Sequence, residues 1–169
     1  MIAIFDVQYG DKVSKTGCVL IDNWSDKTPV KEYVTELPAQ SDYISGEFYK
    51  RELPCLLDCL NKMSENPEII VVDGHVWLEE NRPGLGHYLY EALGKSKKVI
   101  GVAKNSFKGS FFAEKVLRGD SKKPLFVTSD GVDNKKSAIN VKGMAGENRL
   151  PEMIKRADHL ARGFSFPII

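Results

Sequence analysis

Residues 69–75, IIVVDGH, constrain the fold most, because an unbroken apolar run ends there in a carboxylate, a glycine and an imidazole. The β-prone residues between Pro67 and Gly74 predict a strand covered on both faces, as in a parallel sheet. Ligands of such sheets bind beyond the carboxyl ends of the strands, where Asp73 would lie. An Asp-Gly pair also forms ordinary turns. The stretch alone therefore leaves open whether Asp73 has a functional role or only a turn role.

The bulk composition is that of an ordinary globular protein, with 169 residues, 42% of them hydrophobic and 28% charged. We expect one domain over 1–169. No segment approaches the roughly 20 apolar residues of a membrane span, and Asp6 lies where a signal peptide would need basic residues. We therefore expect a cytoplasmic protein that does not contact a membrane. The odd number of cysteines, Cys18, Cys55 and Cys59, predicts reduced, buried thiols rather than a zinc site.

The net charge of +1 excludes a globally basic nucleic-acid binder, yet the basic residues are unevenly distributed. Between Lys95 and Lys142 there are twelve Lys or Arg residues and only four acids. A block of this kind is typical of a phosphate-binding surface and equally of solvated lysines in loops. The sequence alone leaves both interpretations open.

The first strand predicted by alternation, residues 2–8, places Ile2, Ile4 and Asp6 on one face. Lys104 follows a later buried strand directly, and Asp130 follows another. In the helix predicted over 47–63, Pro54 suits the first turn and places Glu52 at or just before the start. Strands predicted over 15–22 and 30–37 form an antiparallel meander with the first strand. The remaining predicted elements, in chain order, are strand 69–73, a loop to Pro83, a helix from Leu85 to Gly94, strands 99–103 and 125–128, a strand or turn over 137–144 and a helix over 150–162.

The order of these elements is that of the ribonuclease H-like fold, an α/β architecture whose mixed sheet has three antiparallel strands followed by parallel strands and is flanked by helices. In that fold the first strand lies beside the fourth, so Asp6, Glu52 and Asp73 would converge. Three carboxylates in one small space repel each other unless divalent cations neutralise them, and hard oxygen ligands suit Mg²⁺ or Mn²⁺. Two such ions can activate a water and stabilise the leaving oxygen in phosphodiester hydrolysis.

Several segments resemble the endonuclease V family, which acts on deoxyinosine in DNA or inosine in RNA, and they occur in the family's order. No single motif is strongly specific, and their joint order carries the resemblance. The segments are IAIFDVQY, DYISGEFYKRELPCLLDCL, VVDGH with RPGLGHYLY downstream, IGVAKNSF and RLPEMIKRADHLARG.

The resemblance implies metal-binding and catalytic roles for Asp6, Glu52 and Asp73, with Lys104 near the site in contact with a phosphate. It also implies a wedge at Tyr43 and Ile44 that parts the strands, and a pocket in which main-chain groups read a flipped hypoxanthine base. The substrate-binding residues on this basis are Tyr43, Ile44, Gly46, Gly74, His75 and Lys104. The implied partner is nucleic acid, and we expect a monomer.

This chain departs from the family pattern in three places. After DGH it has Val76 and then Glu79, where the family has a glycine and a His-Pro pair. It has Ser129-Asp130-Gly131 where the family tends to have Gly-His-Arg, so Asp130 is a candidate fourth metal ligand. It also begins almost at the first strand, without the N-terminal segment usual in the family.

We therefore expect a Mg²⁺-dependent endonuclease, similar to DNA repair enzymes, that hydrolyses a phosphodiester near a deaminated purine. Two alternatives stay open. One is a nucleic-acid-binding module of the same family with weak or no cleavage, and the other is a ribonuclease H-like nuclease with a different substrate.

Overall fold

The computed structural model describes residues 1–39, 47, 49–108 and 111–164. Its main sheet has seven strands in the order β3-β2-β1-β4-β7-β9-β8, and β5 and β6 form a separate hairpin. The strands are β1 (Ile2–Tyr9), β2 (Val13–Ile21), β3 (Lys31–Pro38), β4 (Ile69–Asp73), β5 (Trp77–Glu79), β6 (Arg82–Pro83), β7 (Lys98–Ala103), β8 (Glu114–Val116) and β9 (Leu125–Asp130). The helices are α1 (Tyr49–Lys62), α2 (Leu85–Ala92), α3 (Asn134–Lys142) and α4 (Glu152–Ala161).

The opening meander is confirmed, since β1 and β2 pair antiparallel and so do β2 and β3. Strand β1 then pairs parallel with β4, and β4 pairs parallel with β7. The parallel pairs have apolar side chains on both faces of the sheet, as the run at 69–73 predicts. This arrangement brings the carboxyl ends of β1, β4 and β7 to the same edge of the sheet.

Each face of the sheet has its own hydrophobic core. Ile2 and Ile4 of β1 pack on the face covered by α3 and α4, together with Ala157 of α4. Ala3 and Phe5 point to the opposite face, which α1 and α2 cover. Because Asp6 continues the alternation of Ile2 and Ile4, its side chain starts from the face that carries α4.

Three local predictions are wrong. Residues 134–142 form a helix rather than a strand or turn, because Asp133 caps it by accepting a hydrogen bond from the Lys136 amide, and Ser137 and Val141 bury one helical face. The segment 77–83, predicted as a loop, forms the β5–β6 hairpin. Helix α1 begins at Tyr49, which places Pro54 inside the helix and Glu52 within its first turn.

The direction of β9 is also different from the prediction. A meander followed only by parallel strands would have β9 parallel to β7, but β9 pairs antiparallel with β7. A parallel crossover needs a long connection, usually a helix. The described residues between β7 and β9 contain only the short strand β8 and no helix. The carboxyl end of β9 therefore lies at the opposite edge of the sheet from the carboxyl ends of β4 and β7. None of the helices in the described ranges is long and apolar enough to cross a membrane.

Candidate functional site

The fold brings Asp6, Glu52 and Asp73 together. Phe5 pairs with Val72 across the parallel β1–β4 ladder, so the acids that follow them lie at the same level on adjacent strands. Glu52 approaches from the first turn of α1 and is buried, with 8% of its surface exposed. All three residues border one narrow space, together with apolar residues such as Leu56 and Leu85.

Two of these acids, Asp6 and Glu52, have raised pKa values because they are buried and lie near other carboxylates. Burial raises the pKa of Asp6 to about 7, and the charge of Asp73 adds to the shift. Burial also raises the pKa of Glu52 to about 8, with Asp6 and Asp73 contributing, although a hydrogen bond from Tyr9 opposes the shift. The site thus carries more negative charge than its own residues neutralise.

A fourth carboxylate, Asp158 of α4, joins the cluster, although no pattern in the sequence marks it as a site residue. Its side chain lies near that of Asp6, and a hydrogen bond between the two carboxyls, which requires one of them to be protonated, helps to raise the pKa of Asp6. It also accepts a hydrogen bond of 2.9 Å from Arg162 Nε. The segment RLPEMIKRADHLARG contains this residue, but local patterns do not show that α4 packs against β1 and β2. That packing is a long-range contact between residues more than 130 positions apart in the sequence.

Lys104 places a positive charge next to Asp73 at this edge of the sheet. Its Nζ donates a hydrogen bond of 3.0 Å to Asp73 Oδ2. Burial opposes the charge on Lys104, but Asp73, and to a smaller extent Asp6 and Asp158, outweigh burial and raise the lysine pKa. Arg149 donates a hydrogen bond to the Lys104 carbonyl and fixes the backbone at this point.

The carboxylate oxygens are suitable ligands for a divalent metal ion, although in this structure each acid contacts other groups of the protein instead. Within the described ranges, no three His, Cys, Asp or Glu side chains are already grouped closely enough to hold an ion. Asp6 contacts the Val7 amide and Asp158, Glu52 contacts Tyr9, and Asp73 contacts Lys104. Buried carboxylates with raised pKa values are hard oxygen ligands that lack a counter-charge, which is what Mg²⁺ or Mn²⁺ supplies.

A second, mainly apolar cavity of about 180 Å³ opens beside the acids. Glu52 and Asp73 lie in its wall, so the two spaces adjoin. Gly74 lines it with a φ of +121°, a backbone conformation that favours glycine. The other lining residues are Tyr49, His75, Leu78, Pro83, Gly84 and Leu85.

Three glycines without side chains allow the chain to pack closely against the backbone of residues 74–76 at the edge of this cavity. A Cβ on Gly101 of β7 would lie 2.5 Å from the Gly74 carbonyl oxygen, and one on Gly84 would lie 2.5 Å from the His75 carbonyl oxygen. A Cβ on Gly86 would meet the Val76 side chain at 2.5 Å. The Val76 amide also donates a hydrogen bond of 2.8 Å to Thr128 Oγ1. The segment after Asp73 is therefore closely packed from several sides.

His75 presents an acceptor nitrogen at this segment. Its Nε2 lies 3.1 Å from the Asn105 carbonyl oxygen, and since a carbonyl can only accept, Nε2 carries the proton. Nδ1 is buried and has no hydrogen-bond partner among the described residues. Burial lowers the pKa of His75, which keeps the ring neutral near pH 7.

The structure does not bring Asp130 to the acid cluster, which corrects the prediction of a fourth ligand there. Asp130 pairs with Val99, whereas Asp73 pairs with Val102, three residues or roughly 10 Å further along β7. Its carboxylate accepts hydrogen bonds of 3.0 Å from Trp77 Nε1 and 2.7 Å from His87 Nδ1. The antiparallel direction of β9 is the cause.

The remaining predicted positions are divided between described and undescribed segments. Gly74, His75 and Lys104 lie at the site. Val76, the first departure from the family pattern, is buried against α2, and Glu79 lies on the β5–β6 hairpin. The predicted wedge residues Tyr43 and Ile44, together with Gly46, lie outside the described residues.

Several known proteins of similar sequence and structure belong to one family. A sequence profile of the family described as Endonuclease V matches residues 1–125. The Endonuclease V of Xanthomonas oryzae is 30% identical over 122 residues, which cover 71% of this chain and 50% of the relative. The chain thus spans about half the length of that relative.

Solved structures extend the similarity to the fold. The crystal structure of Endonuclease V from Streptomyces avermitilis superposes with a TM-score of 0.75 at 26% identity, covering 95% of this chain and 79% of that one. Endonuclease V from Ciona intestinalis, solved in complex with a DNA containing an inosine, superposes with a TM-score of 0.79 at 22% identity, covering 95% and 84%. The ribonuclease H-like fold is confirmed, and the chain belongs to the endonuclease V family.

Proposed function

We propose that this chain is a divalent-metal-dependent endonuclease that hydrolyses a phosphodiester near a deaminated purine in nucleic acid. The observation that carries the proposal is the convergence of Asp6, Glu52, Asp73 and Asp158 at one sheet edge, directly beside a mainly apolar cavity. A relative of the same fold was solved with inosine-containing DNA, which supports the substrate class.

The four carboxylates would hold Mg²⁺ or Mn²⁺. When bound, such an ion polarises a phosphodiester and lowers the pKa of water, which yields a nucleophile near neutral pH. The acids need the ion's charge to ionise together, because burial and mutual repulsion raise the pKa values of Asp6 and Glu52. Metal binding therefore displaces protons from this site.

Lys104 would contact the phosphate next to the cleaved bond. Its ammonium group lies 3.0 Å from Asp73 Oδ2, so a phosphate that reaches the acid cluster also reaches this cation. A positive charge placed where negative charge develops stabilises the transition state.

The adjoining cavity would receive the extruded base. Extrusion from a stack costs a few kcal/mol, which contacts in the pocket must offset. Hypoxanthine carries a proton on N1 and adenine does not, so a hydrogen-bond acceptor in this cavity would distinguish the two purines. The Gly74 and Val76 N–H groups and the His75 and Val76 carbonyl groups are hydrogen-bonded within the protein, which holds this wall of the cavity in a fixed shape.

The proposal is tested by cleavage of matched DNA and RNA oligonucleotides with inosine or adenosine at one position, with Mg²⁺ or Mn²⁺ added. We expect strand cleavage only with inosine and added cation, and no cleavage by Asp6→Asn. Asp130→Asn is the matched control, because the same substitution lies away from the acid cluster. Equal cleavage by the parent and Asp6→Asn would refute the assignment of Asp6. Tight inosine binding without any product would instead favour a binding module.

A further inference from the structure

Two tyrosines form a stacked pair at the rim of the apolar cavity. The rings of Tyr49 and Tyr88 lie with their centroids 3.6 Å apart and their planes within 13° of parallel. Tyr49 is the first residue of α1 and Tyr88 lies in the middle of α2, so the pair joins the two helices that cover this face of the sheet. Both side chains are only partly buried.

Tyr49 lines the cavity, in the same wall as Glu52. Leu78, Pro83 and Leu85 are the aliphatic side chains that line the same space. The cavity thus offers a phenol ring and aliphatic groups next to the acid cluster. A flat aromatic ligand fits this lining better than an aliphatic or strongly charged one.

The stack on Tyr88 fixes the orientation of the Tyr49 ring before any ligand arrives. A ring that is already held loses little side-chain freedom on binding, so most of the stacking energy contributes to affinity. Every purine has a π-face, so stacking supplies affinity without choosing between bases. Choice between bases would then rest with other, polar contacts in the cavity.

We propose that Tyr49 is the stacking surface for the extruded purine and that Tyr88 is a positioning residue that holds its ring. This assignment rests on the proposed function, because it names the contact that retains the base in that site. It concerns residues at the start of α1 and in α2 and is independent of the wedge predicted at Tyr43 and Ile44.

The test measures binding without cleavage, by fluorescence anisotropy in EDTA. Two labelled single strands of the same sequence are used, one with inosine and one with an abasic site at the same position. We expect Tyr49→Leu to weaken binding of the inosine strand by roughly 5- to 100-fold and to leave binding of the abasic strand unchanged, since the abasic strand has no base to stack. Tyr49→Phe keeps the ring and should retain the affinity of the parent for both strands.

The Tyr88→Leu variant tests whether Tyr88 only positions the Tyr49 ring or contacts the base itself. We expect it to weaken inosine binding less than Tyr49→Leu does and to spare the abasic strand, while Tyr88→Phe binds like the parent. Thermal unfolding of each variant shows whether a loss of binding comes from a loss of folded protein. The Phe variants test the same positions with nearly the same packing.

The outcomes distinguish this inference from the proposed function. Equal losses on both strands, or no loss in Tyr49→Leu while the parent cleaves and prefers inosine, would overturn the stacking role alone. A parent that neither prefers the inosine strand in EDTA nor cleaves it with Mg²⁺ or Mn²⁺ would overturn the proposed function and the stacking role with it.

Discussion

Asp158 and Asp130 show how two similar acids differ once the fold is formed. Asp158 is hydrogen-bonded to Asp6 in the acid cluster, whereas Asp130 accepts hydrogen bonds from Trp77 and His87 on another part of the sheet. Under the proposed function the first would help to hold the cation, whereas the second holds α2 and the β5–β6 hairpin. The two carboxylates therefore offer a matched comparison.

We expect Asp158→Asn to lower the cleavage rate by at least 100-fold, because an amide cannot supply the negative charge that the site contributes to a bound cation. Asp130→Asn should keep cleavage near the parent level and lower the free energy of unfolding by about 1 kcal/mol, through weakened hydrogen bonds to Trp77 and His87. Single-turnover cleavage and urea unfolding measure the two effects. A large loss of cleavage in a well-folded Asp130→Asn protein would contradict this division.

Lys104 is the next residue whose role can be isolated. We expect Lys104→Met to slow cleavage by roughly 10- to 1000-fold, since it removes one charged group aimed at the reacting phosphate. Lys108→Met is the control, because Lys108 is exposed in the same loop and would contribute only to weaker, general attraction. Rates at saturating substrate distinguish the two. Similar small losses in both variants would mean that Lys104 acts only through general attraction.

The sequence predicted much of the site at the level of single residues. Asp6 stood out because a charge continued an apolar strand face, and Asp73 because an apolar run ended in an acid. Asp158 carried no such mark, since an acid on a helix is ordinary. Asp130 was misassigned because the position after a strand marks a site only when the direction of that strand is known.

At the level of elements, the contact between β2 and α4 decides whether the acid cluster can form. Gly17 pairs with Asp6 in the β1–β2 ladder. A Cβ on Gly17 would lie 2.4 Å from the Ala157 carbonyl oxygen and 2.7 Å from the Ala161 amide nitrogen of α4. The absence of a side chain at Gly17 therefore lets α4 approach the sheet closely enough for Asp158 to reach Asp6.

We expect Gly17→Ala to destabilise the protein by about 1 to 3 kcal/mol and to lower cleavage beyond what the loss of folded protein explains, because backbone atoms of α4 must move. Gly143→Ala is the control, since a Cβ there would have no neighbour closer than 3.6 Å. Urea unfolding measures the stability of each variant, and cleavage assays without denaturant measure its activity. A Gly17→Ala protein with the parent's activity would show that α4 can shift without disturbing the site.

Secondary structure was predictable where a local pattern agreed with the tertiary contacts. The runs of apolar residues in β1, β4 and β7 are of this kind. The start of α1 could not be predicted in this way. Tyr49 stacks on Tyr88, and the Lys50 amide donates a hydrogen bond to the Glu47 carbonyl, and the position of Pro54 does not indicate either contact. Helix α3 has few apolar residues, so its periodicity was weak and its N-cap at Asp133 was the better signal.

Across the whole molecule, the acid cluster opposes folding when no cation is present. The pKa values of Asp6 and Glu52 are raised to about 7 and about 8 in the folded protein, from ordinary values of 3.8 and 4.5. At pH values well below 3.8, both acids are protonated in the folded and unfolded states. As the pH rises, the unfolded chain releases these protons first, so stability falls progressively until the folded protein has released them too.

We therefore expect the free energy of unfolding in EDTA to fall between pH 5 and pH 8 by an amount that Asp6→Asn reduces, because asparagine has no proton to release. At pH 8, Asp6→Asn should be more stable than the parent in EDTA by roughly 1 to 3 kcal/mol, and the two should differ little near pH 4. Mn²⁺ should stabilise the parent at pH 8 far more than at pH 5, since protons and the cation compete for the same oxygens. Urea unfolding of both proteins across this pH range, with EDTA or with Mn²⁺, measures these differences in the free energy of unfolding. A parent that is more stable than Asp6→Asn at pH 8 in EDTA would show that the acids are already neutralised within the folded chain, and a cation would then have no charge deficit to fill.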